Sequence, residues 1–95
     1  MHLMISTYTA PLDQVDAARA AHMEWLSGLE DRGLVVAAGR QDPPIGGIVL
    51  LATDSADEAV ALMADDPYVL RGLATYRATG WRPTRGALAD WKPAN

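Results

Sequence analysis

Ala64-Asp65-Asp66-Pro67-Tyr68-Val69 closes an apolar helical run and opens onto a strand-like one, and its reading decides the order of elements on either side. Pro67 disfavours helical φ/ψ at the residue before it, so the helix should end near Asp66 and leave that carboxylate at a fixed corner. Upstream, Ser55 followed by Glu58 matches a capping box and opens a helix with Ala59, Leu62 and Met63 on its buried side. Downstream, Tyr68-Val69-Leu70-Arg71-Gly72 has room for about one turn of helix before Gly72 breaks it, and Leu73 to Trp81 reads as a strand.

Towards the N-terminus, residues 2–8 place Leu3, Ile5 and Thr7 on one face of a strand and Met4, Ser6 and Tyr8 on the other. Pro11 and Asp13 punctuate its end, and Asp13 is placed to cap a helix running to about Arg32. Val15, Ala18, His22, Leu26 and Leu29 recur there at spacings of three and four, with Trp25 beside them, and form one inward stripe. Gly33 suits a left-handed helix end. Leu34 to Arg40 then reads as a second strand, residues 41–47 as an irregular turn, and Ile48 to Ala52 as a third strand antiparallel to the second. The order β-α-β-β-α-β predicts an α+β, ferredoxin-like fold, a four-stranded antiparallel sheet with two helices on one face. Apolar residues of 34–38 and 48–52 would be left bare on the other face, so a homodimer through the open sheet face is expected.

With 95 residues and 49% hydrophobic content the chain is long enough for one modest core. Residues 1–86 are read as that domain and 87–95 as an irregular C-terminal tail containing Trp91. Lys+Arg 8 against Asp+Glu 12 gives net charge -4, which is the wrong sign for nucleic-acid binding. There is no cysteine, hence no disulfide framework or thiolate nucleophile. No run approaches the ~20 apolar residues of a membrane span and no leader pattern precedes the first strand, so a soluble, cytoplasmic protein is expected.

His22, on the apolar face of the first helix, and Asp66, at the corner before Pro67, make a candidate acid/base pair. A histidine exchanges a proton near neutral pH, and a carboxylate beside it orients the ring and stabilises its protonated form. The other reading of each stays open: a core histidine bonded to backbone, and a helix-end aspartate bonded to nearby amides. Asp65 is expected to face solvent, and His2 to be terminal and exposed. A helix-over-sheet cleft walled by Ala, Val, Leu and Trp25 suits an apolar ligand with one or two polar handles. Arg40, at the end of the second strand, is placed to hold an anionic substrate or to be a solvated edge residue. Tyr68 is either a pocket wall or a packing residue with its hydroxyl at the surface, and Ser6 shares its strand face with the pocket. No Gly-x-Ser-x-Gly elbow, metal-ligand spacing or phosphate loop occurs, so no cofactor and no metal are expected.

His22-Met23-Glu24-Trp25-Leu26, Ala37-Ala38-Gly39 and Asp65-Asp66-Pro67-Tyr68-Val69 followed by Gly72-Leu73 together resemble the YCII-related domain family. The resemblance spans most of residues 2–84. It implies a dimeric α/β barrel, an architecture shared with muconolactone isomerases and small metal-free monooxygenases, and an active-site pair falling on His22 and Asp66. Arg40 stands where many members have proline. The expected function is a cofactor-independent enzyme that abstracts a proton in an elimination, isomerisation or related lyase step on a small cyclic or aromatic compound. A non-catalytic ligand-binding or assembly module on the same scaffold is the alternative.

Overall fold

A computed structural model describes residues 1–91 of the chain. The elements are β1 (His2–Tyr8), α1 (Leu12–Ala17), α2 (Arg19–Asp31), β2 (Val35–Arg40), β3 (Gly47–Leu51), α3 (Ala56–Met63), α4 (Pro67–Leu70) and β4 (Ala74–Gly80). The strands form one sheet in the order β2-β3-β1-β4, and every neighbouring pair is antiparallel. This is the ferredoxin-like topology.

The barrel expected from the resemblance is not formed. The sheet is open: β2 pairs only with β3 and β4 only with β1, leaving two edges. Closure would need a ladder between those edges, and a closed barrel with a filled interior takes about eight strands. The two expected helices are present, with differences at their bounds. The first is interrupted at Ala18, whose amide bonds Val15 O at 3.0 Å rather than a carbonyl four residues back. The helix after Ser55 ends at Met63, three positions before Asp66, and Asp66 caps the separate short helix α4 instead.

Period-two alternation sets the core. His2, Met4 and Ser6 of β1 are buried, and Met4 packs with Val49 and Leu51 of β3 against Leu26, Ala59 and Met63 of α2 and α3. Each large side chain buried this way stabilises the fold by about 1.5–3 kcal/mol. Val15, Ala18, Tyr68, Leu73 and Ala74 form a second cluster. His22 lies on α2 between Ala18 of one cluster and Leu26 of the other. The opposite sheet face is mixed: Leu3 and Ile5 are half-buried, Leu50 is buried, and Ile48 is exposed.

Two glycines hold the connections. Gly33 ends α2 in the left-handed region at φ 72, as expected of a residue without a Cβ. In the turn before β3, a Cβ on Gly46 would stand 1.8 Å from Ser6 O, so only glycine fits there. Gln41 closes the same turn, its Nε2 donating to Ser6 O at 3.0 Å. Among the described residues no strand follows Gly80; Trp81 N bonds Met1 O at 2.9 Å, and Trp91 is half-buried. Residues 92–95 of the expected tail lie outside the described residues. Among the described residues no helix is long and apolar enough to cross a membrane.

Candidate active site

The burial of Val15, Ala18, Leu26 and Leu29 turns their face of the α1–α2 segment to the sheet and takes His22 with it; its side chain is 14% exposed. Pro67, the first residue of α4, leaves Asp66 in the extended N-cap position at ψ 126, where its Oδ1 accepts from Tyr68 N at 2.9 Å. Asp66 is fully buried, and its Oδ1 stands 2.8 Å from His22 Nδ1. Its other oxygen accepts from the Tyr76 hydroxyl at 2.7 Å. An ionised carboxylate only accepts hydrogen bonds, so Nδ1 of His22 carries the proton in that contact. In the neutral ring the free lone pair is then on Nε2. That is the arrangement of a base held by an orienting acid.

Aromatic rings complete the surroundings. Tyr68 stacks flat on the His22 imidazole, centroids 4.1 Å apart at 5°, and Tyr8 meets Tyr68 edge-on at 6.0 Å. Tyr68 is 3% exposed, which corrects the expectation of a hydroxyl at the surface: β1 and α2 close over it. Burial raises the Tyr68 phenol above the ordinary tyrosine value. Burial raises Tyr76 strongly as well, and the adjacent Asp66 adds to the effect, so Tyr76 stays a neutral donor to the carboxylate.

Beside His22 lies a cavity of about 390 Å³, lined among others by Ser6, Tyr8, Arg19, Arg40, Tyr68 and Tyr76. Ser6 Oγ accepts from Gly47 N at 2.7 Å, so this hydroxyl braces the end of the β1–β3 ladder. Arg40 reaches over the end of the sheet: Nε donates to the Tyr8 hydroxyl at 3.1 Å and Nη2 to Asp16 Oδ1 at 2.6 Å. The bond to Asp16 raises its guanidinium above the ordinary arginine value. Trp25 does not line the cavity; it packs against the main core and tilts towards His22 at 5.7 Å. Among the described residues no group of three or more His, Asp or Glu side chains is placed to hold a metal.

Asp65 is exposed, as expected. His2 is not: it is 8% exposed and its Nδ1 lies 2.7 Å from Thr53 Oγ1. β1 begins at His2, so its side chain alternates inward with Met4 and Ser6. Tyr76 and Asp16 were not singled out from the sequence. The signal for Tyr76 is its register opposite Ser6 across β1 and β4, which puts it on the helix side.

The family model of the YCII-related domain matches residues 1–82. The chain belongs to the YCII-related domain family. No curated protein matches this YCII-related chain. Among solved structures it is similar to the 5-chloro-2-hydroxyhydroquinone dehydrochlorinase of Burkholderia phenoliruptrix AC1100 in complex with 2,5-dihydroxybenzoquinone. The TM-score is 0.69 at 21% identity, covering 86% of this chain and 94% of that one. At that identity the likeness is one of fold.

Proposed function

We propose that this YCII-related chain is an enzyme in which His22 Nε2 takes a proton from a small cyclic or aromatic substrate while Asp66 orients the ring and stabilises the imidazolium. The single observation that carries the reading is the 2.8 Å contact between His22 Nδ1 and a fully buried Asp66 carboxylate. A buried charge is costly unless it is paired and hydrogen-bonded, and this one is aimed at the one imidazole beside the cavity. The flat stack on Tyr68 gives the imidazolium a π face as it charges. Proton removal from a hydroxyl or ring carbon drives elimination, isomerisation or a related lyase step, and a cavity of about 390 Å³ suits a single-ring molecule.

In this reading Ser6, Arg40 and Tyr68 wall the substrate, and Trp25 supports the imidazole from the core side. Residues 1–86 form the functional domain with 87–95 appended, and the protein works in the cytoplasm as a homodimer that covers Leu3, Ile5 and Ile48 on the open sheet face. The dehydrochlorinase with the similar fold suggests the first substrate to try, 5-chloro-2-hydroxyhydroquinone, with chloride release as the readout. His22→Ala should lower turnover by about 100-fold or more while the circular dichroism spectrum is unchanged. Turnover retained in that variant would favour a binding or assembly module instead.

A further inference from the structure

The mouth of the cavity carries charge that the His22–Asp66 pair does not use. Arg40 is held from two sides, by Asp16 at 2.6 Å and by the Tyr8 hydroxyl at 3.1 Å, with its guanidinium carbon 5.7 Å from the Tyr8 ring centroid. Arg19, the first residue of α2, lines the same cavity and makes no ion pair among the described residues. Two arginines facing one small cavity are a local reversal in a chain of net charge -4. Glu30 also lines the cavity, but eleven positions along α2 from Arg19, roughly 16 Å away at the helical rise. Among the described residues the positive end therefore has one carboxylate in contact with it, Asp16. That ion pair is half in solvent, with side chains 26% and 46% exposed, the class of pair that is weak and readily exchanged.

The two ends of the site are physically linked. Tyr8 bonds Arg40 and meets Tyr68 edge-on, and Tyr68 stacks on His22. Guanidinium and imidazole are thus joined through two aromatic rings and line one cavity.

We infer that the cavity takes a ring compound bearing an anionic oxygen group, with the anion on Arg40 and Arg19 and the proton to be removed at His22 Nε2, and that Asp16 competes with that anion for Arg40. The inference names a substrate class for the active-site reading above and rests on it for the proton, but the anion subsite is tested by binding alone.

Calorimetric titration at pH 7 with 4-hydroxybenzoate and with its neutral amide as probes tests it. The acid should bind at least about 10-fold more tightly than the amide, as a charge-assisted contact to arginine requires. Arg40→Gln should weaken the acid about 10-fold and leave the amide unchanged. Asp16→Asn should tighten the acid by about 3-fold or more. Misfolding would weaken binding in both variants, so effects of opposite sign exclude it. Equal affinity for acid and amide, no binding of the acid at millimolar concentration, or weaker acid binding in Asp16→Asn overturns the inference. On His22→Ala the preference for the acid should survive even if His22 proves not to be catalytic; its loss there would move the anion from the arginines to the imidazole and overturn the assignment.

Discussion

Asp66 is fixed by three donors on three different elements, the Tyr68 amide, the His22 ring and the Tyr76 hydroxyl. A carboxylate so held cannot turn, and the imidazole on it keeps one tautomer. Replacing Asp66 by Asn keeps the shape but removes the charge that an imidazolium needs, so turnover should drop by about 100-fold or more with the fold retained. Tyr76→Phe removes the donor to Oδ2 and leaves a buried charged oxygen short of a partner. Urea unfolding should show a loss of about 1–3 kcal/mol, whereas a variant as stable as the parent would mean that water takes over the contact.

At the scale of elements, the connections carry more constraint than the strands they join. In the turn after β2, Gly46→Ala would drive a Cβ into Ser6 O; overpacking of this kind against backbone costs about 1–3 kcal/mol or more, read as a lowered urea midpoint. Ser55, whose Oγ accepts from Glu58 N at 3.1 Å at the start of α3, is a milder case. Ser55→Ala should cost about 1 kcal/mol. These elements are where sequence reading succeeds and fails for physical reasons. The stripe Val15, Ala18, Leu26, Leu29 is legible because helical period forces those side chains onto one face, and the Ser55 cap because few residues can accept that amide. The break at Ala18 is not, since neither proline nor glycine marks it. Asp66 was read at a helix end and does stand at one, but as the cap of α4 rather than the stop of α3, because Pro67 is equally suited to open a helix. His22 and Asp66 could be suspected as partners from their types and positions. Tyr76 and Asp16 could not, because what they touch depends on strand register and on the bend at Ala18, both long-range outcomes of packing.

For the whole molecule, the open sheet places two edges and one mixed face in solvent, and the buried tyrosines tie stability to alkaline pH. Tyr76 and Tyr68 have folded-state values above the ordinary tyrosine value near 10. Above that pH the unfolded chain gives up these protons and the folded chain holds them, so the folded state binds more protons and stability falls as pH rises. The contribution is complete below about pH 10 and is lost beyond it. Tyrosinate absorbance should therefore rise for these residues only as the fold is lost, and Tyr76→Phe should flatten the decline. Sedimentation equilibrium bears on the open face: the homodimer should weaken when Ile48 is replaced by Lys, and a monomeric parent chain would remove that part of the proposal. Proton transfer at His22 is tested most directly by chloride release from His22→Ala measured beside the unsubstituted chain. The variant should lose about 100-fold or more with the fold intact; release of chloride at the same rate by the unsubstituted chain and the variant would contradict proton transfer at His22.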